Sequence, residues 1–186
     1  MTDLEILDLY WARSESAINE TAQQYGTYCI TIAMNILRNR EDSEECVNDT
    51  YLNAWNAIPP QRPAVLSSFL GRIIRNLSLD RYKARNAEKR YGDETAVLLG
   101  ELEDCIPSSK NVDDEIAIKA LEKTIDSFLS GVSEPDRLFF MRRYWYADQI
   151  TVIAQRFSVS ESRVKTSLFR TRKNLKAVLE KEGVII

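Results

Sequence analysis

Apolar residues recur along most of the chain at steps of three and four, the spacing that gives a helix one buried face. Residues 3–38 predict two helices on this pattern, with Ile6, Leu9 and Tyr10 in the first and Tyr25, Ile32 and Ile36 in the second. A third helix, which Asp42 is expected to cap, carries Val47, Tyr51, Ala54, Trp55 and Ile58 as its apolar stripe and groups Glu45, Asn48 and Asp49 on another face. "IPPQRP", Ile58 to Pro63, must be a loop, because Pro59, Pro60 and Pro63 cannot sit inside a helix. Ser67 or Ser68 can cap the helix that follows. Its buried side is Phe69, Leu70, Ile73, Ile74 and Leu77, and it runs on as "RNLSLDRYKARNAEKR" into an increasingly basic end.

The pattern then weakens. Tyr91 to Val112 holds Gly92, Gly100, Pro107, Ser108 and Ser109 among many acids and reads as a linker. Helical spacing returns over Asp113 to Phe128, and Ser133 is expected to cap a further helix with Pro135 close to its first position. Ile150 to Phe157 predicts a short helix, Ser158 to Ser160 a turn, and Glu161 onward a second helix capped by Ser160. Ala154 supplies the small side chain that two crossing helices need, while Ile153, Val159, Val164 and Leu168 fill the angle between them. This is a helix-turn-helix, whose second helix enters the major groove of DNA; Ser158 stands where its turn commonly has glycine. The fold class expected is all-α: two small helical domains, 1–90 and 113–186, joined by an acidic flexible linker, 91–112.

Charge sharpens this picture. The chain of 186 residues has a net charge of −3, but it is segregated in blocks: −7 over Met1 to Gln61, +6 over Arg62 to Arg90, −9 over Asp93 to Asp136 and +8 over Arg137 to Lys181. Two basic regions separated by an acidic one suggest two sites for a polyanion joined by a segment that repels it and can pair with the basic blocks instead. On the second helix of the helix-turn-helix, Val164, Leu168, Leu175, Val178 and Leu179 form one stripe. Arg163, Thr166, Arg170 and Lys173 lie opposite, and Lys165, Arg172 and Lys176 flank the stripe. A solvated face mixes signs, yet no acid occurs from Ser162 to Leu179. One-signed surface is the footprint of a phosphate binder. Its cations supply salt-sensitive phosphate affinity, and Arg163, Lys165 or Thr166 can read bases.

Other classes lose ground. There is no histidine, which removes the commonest general base and metal ligand, and no Gly-rich phosphate loop, GxSxG elbow or calcium loop appears. The expectation is a protein that is not an enzyme and needs neither metal nor cofactor. Cys29, Cys46 and Cys105 are odd in number and widely spaced, which favours three reduced thiols. No run reaches the roughly 18 apolar residues of a membrane span, and the first ten residues lack the features of a signal peptide, so a cytoplasmic protein is expected.

In order and spacing, "EDSEECVNDTYLNAWNAI", "FLGRIIRNLSLDRYKARNAEKR" and "RLFFMRRYWYADQITVIAQRFSVSESRVKTSLFRTRKNL" resemble regions two and four of the extracytoplasmic-function (ECF) group of bacterial RNA polymerase sigma factors. The resemblance implies that Glu45, Asn48 and Asp49 dock on the clamp helices of core RNA polymerase, with Asn48 where the family usually has glutamine. It implies that the loop Ala57 to Ser67 captures a flipped base of the minus-ten promoter element. Arg62, Arg72, Arg75, Asn76, Asp80 and Lys83 would meet minus-ten DNA there, with Arg81 and Arg85 adding charge. Ser160, Ser162, Arg163, Lys165, Thr166, Phe169, Arg170 and Lys173 would meet the minus-thirty-five element. The partners implied are core RNA polymerase, promoter DNA and an anti-sigma factor. The rival reading is a stand-alone helix-turn-helix regulator with an N-terminal sensing or dimerising domain.

Overall fold

The structure, a computed structural model, describes residues 1–85, 94–103 and 115–182. Every element among them is an α-helix, as the spacing of apolar residues requires. The chain divides into two compact units, Met1–Arg90 and Tyr91–Ile186.

The first unit holds α1 (Asp3–Trp11), α2 (Ser16–Leu37), α3 (Arg40–Ala57) and α4 (Leu66–Arg85). Thr2 and Glu5 close a reciprocal capping box at the start of α1, which buries Ile6, Leu7 and Tyr10 against α2. Helices α2, α3 and α4 pack on one another around Ile32, Ile36, Ala54, Leu70 and Ile74, each at most 1 % exposed. Gly26 of α2 faces α3, where a Cβ would stand 3.4 Å from the Tyr51 hydroxyl, about van der Waals contact. Of the expected stripes, Ile6, Tyr10, Ile32, Ile36, Val47, Tyr51, Ala54 and Ile58 are buried, while Leu9, Tyr25 and Trp55 are half-buried.

Two caps differ from expectation. Asn39, in extended backbone, accepts the Asp42 N–H at 2.9 Å and is the N-cap of α3. Asp42 therefore sits inside the first turn, where its charge suits the helix dipole. Helix α4 begins at Leu66, so Ser67 and Ser68 lie within it. Its first N–H, from Leu66, is accepted instead by Asp3 of α1 at 3.3 Å, a cap supplied from 63 residues away.

The second unit holds α5 (Glu94–Glu103), α6 (Glu115–Gly131), α7 (Glu134–Tyr144), α8 (Ile150–Arg156) and α9 (Glu161–Lys181). Helices α6, α7 and α8 each contact α9, whose Val164, Leu168, Leu175 and Leu179 are at most 1 % exposed. Phe139 of α7 meets Phe157 edge to face, with centroids 5.1 Å apart. Helix α5 occupies ten residues of the stretch read as linker. One buried apolar residue, Leu98, is too little for a periodicity signal, and polar contacts complete the docking. Glu101 Oε2 accepts from the Tyr144 hydroxyl at 2.9 Å and lies 3.4 Å from Arg143 Nε and 3.6 Å from Arg172 Nη1. Arg143 is 2 % exposed and also donates to the Asp148 carbonyl at 3.1 Å. The rest of the expected linker lies outside the described residues, as does Cys105.

Candidate functional sites

On α3 the predicted trio lies off the buried stripe: Glu45 and Asn48 are exposed and Asp49 is half-buried. Glu45 has an intramolecular partner. Arg81 Nη1 of α4 donates to its Oε2 at 2.6 Å, and this hydrogen bond, followed by the Arg81 charge, holds the carboxyl below the usual range. Asp42 lies 2.8 Å from Arg85 Nη1 and 3.6 Å from Arg81 Nη1. The two arginines expected to add charge for phosphate are therefore drawn to α3. Leu52, 56 % exposed and one turn on from Asn48 and Asp49, puts an apolar side chain beside the polar patch. No periodicity marked it, because its signal is an apolar residue on the wrong face.

A groove of about 500 Å³ runs between the end of α3, the proline loop and α4. Asn53 and Asn56 come from α3, Gln61 from the loop, and Phe69, Arg72, Asn76 and Asp80 from α4. Arg72, Asn76 and Asp80 meet there because residues four apart share a helix face. Four carboxamides offer donors and acceptors together, Asp80 adds an acceptor, and Phe69, buried with Arg72 5.8 Å from its ring centroid, backs the groove from inside. Grouped hydrogen-bonding edges are what read an unstacked nucleobase. Gln61 and Ala57 belong to the loop expected to capture a base and Phe69 to the expected buried stripe, whereas Asn53 and Asn56 carry no such expectation, since nothing in the linear pattern sets the end of α3 against α4.

The other residues expected at the minus-ten element lie elsewhere. Lys83 is exposed three residues beyond Asp80. Arg75 is half-buried, and desolvation lowers its pKa to about 10, which leaves it protonated at neutral pH. Arg62 turns towards α1, with Nη2 2.8 Å from Asp8 Oδ1 and its guanidinium 5.8 Å from the Trp11 ring centroid.

In the second unit α8, the turn and α9 have helix-turn-helix geometry. Ser158 adopts φ 52°, the left-handed conformation that favours glycine, and the Val159 N–H returns to the Ala154 carbonyl at 3.0 Å. Ser160 caps α9 by accepting the Arg163 N–H at 3.3 Å. Ile153, Ala154, Val164 and Leu168 are buried in the angle and Val159 is half-buried. Ser160, Ser162, Arg163, Lys165, Thr166, Phe169, Arg170 and Lys173 are all exposed. Phe169, 59 % exposed among cations, has the shape and polarity to touch a thymine methyl. Lys165 stands 3.4 Å from Glu161. Arg172 belongs to a different environment, donating to the Tyr144 hydroxyl beside Glu101. Asp136 of α7 accepts from Ser133 and Ser167, and these bonds, then the charges of Arg163 and Arg170, hold its carboxyl below the usual range.

Residues 21–88, which take in most of α2 and all of α3 and α4, match the family model described as Sigma-70 region 2. No curated protein is significantly similar to the chain. Among solved structures, one described as CnrH in complex with the cytosolic domain of CnrY is 18 % identical, with 96 % of this chain and 97 % of that chain covered at a TM-score of 0.43. A likeness of that size carries no argument about fold or partner. Among the described residues no helix is long and apolar enough to cross a membrane, and no cluster of His, Cys, Asp or Glu could hold a metal ion.

Proposed function

We propose that this chain is an ECF-type sigma factor. It binds core RNA polymerase and directs promoter-specific initiation, its first domain reading the minus-ten element and its helix-turn-helix domain the minus-thirty-five element. The observation that carries the reading is the groove between α3 and α4, which lies within the segment matching Sigma-70 region 2 and gathers Arg72, Asn76 and Asp80. A base extruded from the promoter costs a few kcal/mol, and a preformed cleft lined with carboxamides and Asp80 can offset that by edge hydrogen bonds. The acid-free run Ser162 to Leu179 within α9 supplies the second DNA contact, in which Arg163, Lys165, Thr166 and Arg170 approach bases and phosphates.

The α3 patch of Glu45, Asn48 and Asp49 with the exposed Leu52 suits a protein partner better than DNA, because its charge repels phosphate and the apolar Leu52 beside it gains from burial. Core polymerase is the partner that the resemblance implies, and an anti-sigma factor is a second. The stand-alone regulator is disfavoured because a sigma region occupies the place of its sensing domain. The first unit, Met1–Arg90, would serve polymerase and minus-ten contact, and the second, Tyr91–Ile186, is the helix-turn-helix unit with α5 included. Run-off transcription on genomic fragments, with and without core polymerase, tests the proposal. Specific transcripts that need both proteins support it; specific duplex binding without transcripts returns the rival.

A further inference from the structure

The segment Asp3–Arg13 touches the proline loop's surroundings at three points. At the beginning, Arg13 Nη1 donates to the Trp55 carbonyl at 2.7 Å, near the C-terminus of α3, with its guanidinium 5.3 Å from the Trp55 ring centroid. In the middle, Arg62 pairs with Asp8 at 2.8 Å and lies over Trp11. At the end, Asp3 accepts the first N–H of α4 from Leu66 and is itself held by the hydroxyl of Tyr25 and by Gln24 Nε2 at 3.3 Å. Gln61, which lines the groove, adjoins Arg62. Helix α1 lies outside the 21–88 segment that matches Sigma-70 region 2.

We propose that α1 is a positioning element for the groove and that Arg62 is a positioning residue, acting through Asp8 and Trp11 instead of on a DNA phosphate. Arg13, Arg62 and Asp3 fix the two flanks and the centre of the loop, adding tertiary anchors to the backbone restriction of its prolines, and so hold Gln61 at the groove before DNA arrives. Preorganisation of this kind removes an ordering cost from binding. The function assigned to the groove rests on the sigma-factor reading; the strap itself does not.

The two roles of Arg62 predict opposite effects for its acidic partner. If Arg62 met phosphate, Asp8→Asn would free a cation and strengthen DNA engagement. If Arg62 is a strap, Asp8→Asn and Arg62→Gln do the same damage. Amide hydrogen exchange of the full chain reads the strap directly: each variant should speed exchange over Gln61 to Leu66 by about two- to fivefold, the range for loss of an exposed ion pair, and the double variant no further. Run-off transcription with core polymerase, on a fragment from which the wild type initiates, should fall by a similar factor in both variants with its salt dependence unchanged. The exchanged pair, Asp8→Arg with Arg62→Asp, should recover both readouts and guards against loss from misfolding alone. Unchanged loop exchange overturns the proposal. So does faster exchange with normal transcription, or Asp8→Asn raising transcription while Arg62→Gln flattens the salt dependence by about one phosphate contact. If the wild type yields no polymerase-dependent transcript, the sigma-factor reading fails while the exchange measurement still decides whether the strap exists.

Discussion

Arg81 of α4 and Glu45 of α3 meet at 2.6 Å across the helix pair that the sequence had assigned to two different partners. The carboxylate expected to face polymerase and a guanidinium expected to face DNA are bound to each other in the free protein. If α3 meets core polymerase as proposed, Asn48, Asp49 and Leu52 are the residues available to it, and Glu45 would have to exchange or share its arginine.

Replacing Glu45, Asn48 and Asp49 by Ala together should weaken capture of core polymerase while thermal unfolding stays close to wild type, because all three are off the buried stripe. Leu52→Ala should add to the loss, since it removes exposed apolar area beside the patch. Quantitative co-purification of each variant with core enzyme checks this. Capture at the wild-type level by the triple variant would remove α3 from the interface.

On α9 the exposed and internal cations should separate. Arg163→Ala or Arg170→Ala should lower DNA binding, with the salt slope reduced by about 1 for a phosphate contact, or about 1–3 kcal/mol of base discrimination lost for a base contact. Arg172→Ala should instead cost stability and leave the salt slope alone, because Arg172 is committed to Tyr144 and Glu101. Binding titrations at several salt concentrations distinguish the two classes; a reduced slope for Arg172→Ala would contradict the assignment.

Ser158→Gly should stabilise the second unit by about 0.5–1 kcal/mol. The left-handed conformation costs a residue with a side chain roughly 1–2 kcal/mol, and the greater entropy of unfolded glycine offsets part of the relief. Denaturant unfolding of the full chain measures it. A destabilised variant would mean that the Ser158 side chain contributes more to the turn than its backbone costs.

Helix α5 should prove part of the helix-turn-helix domain. Glu101→Gln removes a negative charge beside the nearly inaccessible Arg143 and weakens the bond from Tyr144, so a loss of about 1–3 kcal/mol is expected. Proteolysis near residues 94–103 should quicken in the same variant. Equal stability and equal cleavage would show that α5 is only loosely attached.

Much of this architecture was legible in the linear pattern. Steps of three and four placed α1 to α4 and α6 to α9, prolines excluded a helix over Ile58 to Pro63, and the helix-turn-helix followed from Ala154, Ser160 and the acid-free run of α9. These are local properties: periodicity, backbone restriction and charge sign act over a few residues and survive without knowledge of neighbours. What tertiary structure decided was where long polar side chains end. Arg62, Arg81 and Arg85 read as phosphate ligands because a free guanidinium is one, yet each lies beside a carboxylate brought from another helix. Asp3 replaced Ser67 and Ser68 at the start of α4, and Asn53, Asn56 and Gln61 joined Asn76 in one groove. Helix α5 was hidden for the same reason, since its docking depends on Leu98 and on Glu101 reaching a buried arginine. An apolar stripe declares its own buried face; the partner of a charge is chosen by the fold, which sets residues tens of positions apart within hydrogen-bonding distance.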